Sequence, residues 1–230
     1  MLFLNLLPKA EITLDYPKKI NVIALDIFGD AVLKHLKLVL DNGASRITRV
    51  VDVPTVKCDA ENTYIIISGK PVTAYCLEIE ERCHTSGAKL LPVTIETSIL
   101  QVGPLVIPGR TPCWECCDQR LTSQHAFPQE RTLLAEFYAR EPQHHSLGFM
   151  PYTAMIAAHR IAHELESLNK NGEADCGIWR MNIYTRDVSI AGYIGRHGCK
   201  KCGSREPESD RSLRNLRQYL CADDSVAKQR

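Results

Sequence analysis

Two C-x-x-C pairs constrain this chain more than any other feature. They are Cys113-Trp114-Glu115-Cys116 and Cys199-Lys200-Lys201-Cys202, well over a third of the chain apart. Each pair offers two sulfurs from one tight turn, the bite that two corners of a tetrahedron need. Together, Cys113, Cys116, Cys199 and Cys202 make a closed, all-thiolate set for zinc. The separation is far longer than in a small zinc ribbon, so the metal would clip distant parts of the chain together. Four ligands leave no open coordination position, and such a zinc stabilises rather than catalyses. Two other readings stay open at this level: a redox pair, and independent buried thiols. Neither pair follows the first strand of a thioredoxin-like unit. Cys117 adjoins Cys116, and its side chain is expected to point elsewhere when Cys116 is bound.

Composition narrows the class. The chain has 230 residues, 44% of them hydrophobic, enough for one large domain or a core with a small appended module. Its 28 basic and 27 acidic residues leave a net charge of +1, which argues against nucleic-acid binding by bulk charge. No apolar stretch approaches the ~20 residues that span a bilayer, so no membrane is expected as a partner. The apolar opening Met1-Leu2-Phe3-Leu4 has no basic leader and the run stops at Pro8. A secretory signal is therefore not expected. The expected compartment is cytoplasmic, where the ten cysteines stay reduced.

Strand and helix patterns alternate. Residues 20–25 form a short apolar run that reads as a buried strand. Helical spacing follows over 28–40, with Val32, Leu36, Val39 and Leu40 on one face and a stop at Asn42-Gly43. A second strand over 46–51 completes a parallel crossover unit. A third strand (64–68), a helix (72–85) and a fourth strand (89–95) come next. Pro92 suits a strand end or an edge. A fifth strand over 100–107 is split by Gly103-Pro104. This alternation implies a mostly parallel sheet with helices on its faces. Residues 118–150 mix charge, His and Pro around one helix at 129–140. A helix over 153–168, a hairpin over 178–183 and 188–193, and a charged tail with a short helix at 211–220 complete the pattern. The expected organisation is α/β: a sheet domain over 1–110, a zinc-knuckle and helical/hairpin region over 111–203, and a tail over 204–230.

The stretch Gly103-Pro104-Leu105-Val106-Ile107-Pro108-Gly109-Arg110-Thr111-Pro112-Cys113-x-x-Cys116 resembles the ThiF-like, ubiquitin-activating-enzyme superfamily. Within it, the stretch is most similar to the branch serving azoline-forming peptide biosynthesis: cyclodehydratase partner proteins that bind precursor leader peptides. Arg196-His197-Gly198-Cys199-x-x-Cys202 resembles the second zinc knuckle of that branch. The resemblance covers roughly residues 20–203 and implies a degenerate Rossmann-like sheet with a zinc-clasped C-terminal helical and hairpin region.

Active members of that superfamily bind ATP and adenylate a carboxylate, with G-x-G-x-x-G after the first strand so that backbone N–H groups approach the phosphates. Here Ala24-Leu25-Asp26-Ile27-Phe28-Gly29 stands in its place, and only the third glycine, Gly29, remains. Asp26 puts a carboxylate where a phosphate would lie. Two unit charges 4 Å apart repel by about 4 kcal/mol at an effective dielectric near 20. Asp52 sits at the end of the second strand, where such enzymes hold the ribose, although an Asp there also simply ends a strand. The segment beyond it offers a single Lys, Lys57. Ser68-Gly69-Lys70-Pro71 follows the third strand, where active members carry an Asp for magnesium. The resemblance thus implies a degenerate nucleotide loop (Ala24, Asp26, Gly29, Asp52), with ATP not expected on this chain. Several relatives carry a separate winged-helix leader-recognition domain before the sheet. Here the first strand pattern already begins at Ile20, so a domain of that kind is not expected before the sheet.

The function so implied is that of a non-catalytic subunit. It would bind the leader of a ribosomal precursor peptide and present the core to a YcaO-type cyclodehydratase that forms thiazolines or oxazolines. A flavin-dependent dehydrogenase could then oxidise the rings. A homodimer or a mixed complex is expected. The alternative is an ATP-dependent enzyme that adenylates a peptide carboxylate. Weaker candidates are His159 and His163, four apart on one helix, the loop pair His144-His145, His125, and Cys117 or Cys176 as a nucleophile.

Overall fold

The isoleucine-rich runs of the first half are buried on both faces, which makes them inner strands of a parallel sheet. A computed structural model describes residues 19–40, 46–50, 57–141, 144, 148–170 and 177–203. The elements are β1 (Lys19–Ala24), α1 (Ile27–Leu40), β2 (Arg46–Arg49), β3 (Asn62–Ser68), α2 (Thr73–Ser86), β4 (Lys89–Glu96), β5 (Ile99–Val102), α3 (Trp114–Gln124), α4 (Pro128–Arg140), α5 (Pro151–Lys170), β6 (Gly177–Asn182) and β7 (Val188–Gly192). They build one seven-stranded sheet in the order β2-β1-β3-β4-β5-β6-β7. The pairings among β2, β1, β3 and β4 are parallel. Those from β4 through β5 and β6 to β7 are antiparallel.

Period-two alternation splits the core between the two faces. Ile65, Ile67, Leu91 and Val93 face one side, under Val32 and Leu36 of α1 and Ala154, Ala158 and Ile161 of α5. Tyr64, Ile66 and Leu90 face the other, under Cys76, Ile79 and Cys83 of α2 and Trp114 and Cys117 of α3. Alanines on the buried stripe of α5 let it approach α1 closely. Gly29 does the same for α1 and the sheet. A Cβ there would lie 2.8 Å from the Ile67 carbonyl oxygen and 3.0 Å from Ala24 Cα.

The structure departs from the sequence pattern in three places. The sheet does not end near residue 110: β6 pairs with β5 and carries β7 beyond it, because Ile178, Trp179 and Met181 bury their side chains against the two existing cores. The sheet is therefore mixed rather than mostly parallel. Pro92 lies in an interior strand. Its carbonyl accepts from Gly103 N at 2.9 Å, so its missing N–H faces the point where the chain leaves the ladder. The Gly103 carbonyl is met instead by Gln101 Nε2 at 3.5 Å. Finally, two helices, α3 and α4, stand between β5 and residue 150, where the sequence pattern shows one. The expected tail helix and the stop at Asn42-Gly43 lie outside the described residues. No helix among those residues is long and apolar enough to cross a membrane.

Candidate metal centre and nucleotide crevice

The first cysteine pair is set by a helix start. Cys113 has extended backbone angles and caps α3, its sulfur accepting from Cys116 N at 3.5 Å. The preceding turn is held by Thr111, whose Oγ1 accepts from Ile107 N at 2.7 Å and donates to the Leu105 carbonyl at 3.2 Å. The Tyr193 hydroxyl donates to the Pro112 carbonyl at 2.7 Å, tying this turn to the strand end that leads into the second pair. That pair sits on a turn closed by Gly203 N donating to the Cys199 carbonyl at 2.9 Å. Glycine is required there: a Cβ on Gly203 would lie 2.4 Å from the Cys199 oxygen.

The structure brings the four predicted ligands together, with all four sulfurs within 4.8 Å of one another. Sγ–Sγ distances are 3.5 Å for Cys113–Cys202, 3.6 Å for Cys116–Cys202 and 3.7 Å for Cys113–Cys199. A tetrahedron with Zn–S bonds of about 2.3 Å has edges of about 3.8 Å, so the donor set fits zinc in size, number and softness. Burial pushes the Cys113 thiol well up, and that of Cys202 up to about 11. At Cys199 burial also raises the pKa, but the backbone donors of Cys202 and Lys201 outweigh it and bring the thiol to about 6. A divalent cation at the centre would offset the clustering of thiolates.

Glu80 of α2 braces this centre, and nothing local in the sequence marks it. It is 1% exposed. It accepts from the backbone N–H of Trp114 at the start of α3 and from Lys201 Nζ at 3.2 Å. Lys201 also reaches Glu81 at 3.1 Å and Glu115 at 3.7 Å. Burial raises the Glu80 carboxyl, opposed by the Lys201 ammonium and the Trp114 N–H. The one available signal is an acid next to the buried stripe of Cys76, Ile79 and Cys83. Glu80→Ala is expected to cost about 3 kcal/mol, because it leaves the Trp114 and Glu115 N–H groups without their acceptor and takes from Lys201 the most buried of its three carboxylate partners. A urea midpoint equal to that of the wild type would contradict this role. Arg131 is likewise unmarked in the sequence. It joins α4 to Glu96 at 2.8 Å and Asp118 at 2.9 Å.

At the C-terminal ends of β1 and β3, where open α/β sheets bind ligands, Asp26 occupies the seat of an anion. Its carboxylate accepts from Gly29 N in the first turn of α1 at 2.9 Å, from the Ser68 hydroxyl at 2.8 Å and from Gly69 N at 2.6 Å. Helix α4 closes over the neighbouring space. The buried Lys70 donates to the His144 carbonyl at 2.8 Å and lies 5.4 Å from the Tyr138 ring centre. The cavity lined by Leu25, Lys70, Tyr75 and Tyr138 is about 60 Å³, far below the roughly 300 Å³ at which ligand pockets begin. Ala24 ends β1 beside Gly29; Asp52 lies outside the described residues.

The weaker candidates do not join either site. His159 and His163 lie on the exposed side of α5. His125 Nδ1 meets the Phe127 backbone at 3.1 Å. Cys117 is buried, which raises its thiol and disfavours a thiolate nucleophile. Among the described residues, the cysteine cluster is the one group of three or more potential ligand side chains. His145 and Cys176 lie outside them.

No protein-family model matches the chain, and no curated protein matches it. Solved structures do. The heterocyclase TruD superposes with a TM-score of 0.60 at 21% identity, over 86% of this chain and 29% of that one. A chain of the E. coli microcin synthetase McbBCD complex gives 0.62 at 11%, over 84% and 71%; that complex is also known with pro-MccB17 bound. E. coli MccB gives 0.52 at 11%, over 83% and 66%, and is also known with ATP. The chain thus spans less than a third of the length of TruD. It carries the α/β fold seen in TruD, MccB and a chain of McbBCD, with a cluster of four cysteines drawn from the start of α3 and the segment after β7.

Proposed function

We propose that this chain is a non-catalytic subunit of a peptide-modifying complex. It binds the leader of a ribosomal precursor peptide and presents the core to a YcaO-type cyclodehydratase that forms thiazoline or oxazoline rings. The observation that carries the non-catalytic reading is the Asp26 carboxylate in the anion seat of α1. A phosphate brought there would meet a like charge, and the backbone donors that would bind it are already engaged. The fold shared with a heterocyclase and a microcin synthetase supports the pathway. Zinc on Cys113, Cys116, Cys199 and Cys202 serves as a clamp between α3 and the strand pair. The gain to the partner enzyme is effective concentration: a held leader makes successive ring closures quasi-intramolecular.

The test starts from the genes beside this one: a YcaO-type gene and a short Cys/Ser/Thr-rich open reading frame are expected there, and the peptide that frame encodes is titrated with and without its leader. Leader deletion is expected to weaken binding at least tenfold; equal affinities would defeat the reading. The competing role as an adenylating enzyme is favoured by the likeness to MccB, which is known with ATP. Peptide-dependent exchange of pyrophosphate into ATP would establish it, and no exchange is expected.

A further inference from the structure

We propose that Cys58 and Cys83 form a reversible disulfide that staples the stretch before β3 to the end of α2. The two thiols belong to neither site described above. Cys83 is 1% exposed, on the buried stripe of α2. Cys58 lies between β2 and β3, in no helix or strand, and is half-buried. Their sulfurs stand 3.8 Å apart, in van der Waals contact.

The packing of the two segments fixes this approach. The Tyr64 hydroxyl of β3 donates to the Lys57 carbonyl at 3.1 Å, and Asn62 N donates to the Asp59 carbonyl at 2.9 Å. These bonds bracket Cys58. Ala60 lies against the C-terminus of α2, where a Cβ on Gly87 would stand 3.6 Å from the Ala60 Cβ. Gly87 N in turn donates to the Cys83 carbonyl at 2.8 Å. A disulfide needs an S–S bond of about 2.05 Å. Cys83 is held by its helix, so the closing movement falls on Cys58, whose segment has no ladder to break.

The oxidant is a low-molecular-weight disulfide, with oxidised glutathione as the probe. Cys58 is the sulfur that solvent reaches, so it attacks first. As the thiolate, its proton lost to water, it bonds to one glutathione sulfur and displaces the other as a thiolate. Cys83 then gives up its proton, attacks the Cys58 sulfur and displaces the second glutathione. Two protein thiols are oxidised to one disulfide, and one glutathione disulfide is reduced to two thiols. Excess glutathione runs both steps backwards. Burial raises both thiols; at Cys58 the contact with Cys83 and the Arg82 guanidinium oppose it. Attack therefore proceeds through a small thiolate fraction and is slow, which suits a response to sustained oxidation.

The staple closes a loop that contains β3 and most of α2. That helix meets Lys201 twice: Glu80 accepts from the ammonium at 3.2 Å, and His84 Nε2 lies 3.2 Å from the carbonyl. Oxidation at this pair thus stiffens the support of the metal centre without using its sulfurs.

The experiment incubates the zinc-loaded chain with oxidised glutathione, blocks remaining thiols with N-ethylmaleimide and reads tryptic peptides by tandem mass spectrometry. It compares wild type with Cys58→Ser and Cys83→Ser. Cleavage after Lys57, Arg82 and Lys89 puts the two cysteines on separate peptides. Cys76 shares the first of these, and Cys58→Ser separates its linkages from those of Cys58. Wild type should give the Cys58–Cys83 link in most molecules, reversed by reduced glutathione. Its melting temperature should rise by roughly 5 °C with unchanged zinc content. Cys58→Ser should show neither the link nor the rise, and Cys83→Ser should stop at the mixed disulfide on Cys58. If Cys83→Ser does not fold, Cys58→Ser decides, since it exchanges one atom at a half-buried position. Glutathione retained on Cys58 of wild type, both thiols still alkylated after incubation, or an equal rise in Cys58→Ser would each overturn the proposal.

Discussion

Cys202→Ser is expected to strip the chain of its zinc and lower its melting temperature by roughly 10 °C or more. Removing one thiolate leaves three buried or half-buried sulfurs around an incomplete centre. Loss of one partner from a buried charged cluster costs about 3–5 kcal/mol, and 1 kcal/mol moves the melting temperature of a domain this size by about 2–4 °C. Metal release adds to this, because metal affinity and folding free energy are linked. Cys113→Ser is expected to act alike and also removes the sulfur that accepts from Cys116 N. Cys117→Ser is the control: that thiol packs among Trp114, Cys76 and Ile79, away from the cluster, so the variant should keep its metal. Atomic emission on purified variants reads the outcome. Full zinc and an unshifted melting curve in Cys202→Ser would contradict the four-ligand assignment.

Asp26→Ala is expected to destabilise the chain by about 3 kcal/mol, roughly 6–12 °C. It removes the acceptor of three donors at once: Gly29 N, the Ser68 hydroxyl and Gly69 N. It also removes a negative charge from the start of α1, where the helix dipole favours one. The variant should recover part of this loss in sulfate, which can enter the vacated seat, while wild type should gain less. ATP is not expected to bind either form, since the adjoining cavity of about 60 Å³ is too small. A wild-type chain stabilised several degrees by magnesium-ATP would refute the view that Asp26 has replaced the phosphate.

Much of this site is legible in the residues, but unevenly. The substitution of Asp26 for a loop glycine is a local event: residue 26 meets the first turn of its own helix, three positions on, so sequence suffices to place the clash. The cysteine pairs are local in the same sense, each a turn with two sulfurs. Their convergence is not, because α3, α4, α5 and the last two strands all intervene, and only the course of β6 and β7 returns the second pair to the first. Glu80 reads as one more acid on a helix until Lys201 and the start of α3 close on it from 121 and 34 positions away. Arg131 likewise reads as one charge among several in a polar segment. Its partners lie on β4 and α3.

Sequence alone determined the alternation of strands and helices, the ligand-bearing turns and the charge in the degenerate loop. Each depends on residues within a few positions of one another, where backbone preference and side-chain spacing act directly. Tertiary structure decided that the C-terminal hairpin joins the same sheet, that β7 rather than β4 is an edge, and that a carboxylate of α2 braces the cysteine cluster. These depend on which surfaces meet in space, and a hydrogen bond or ion pair is governed by a distance of about 3 Å rather than by separation along the chain.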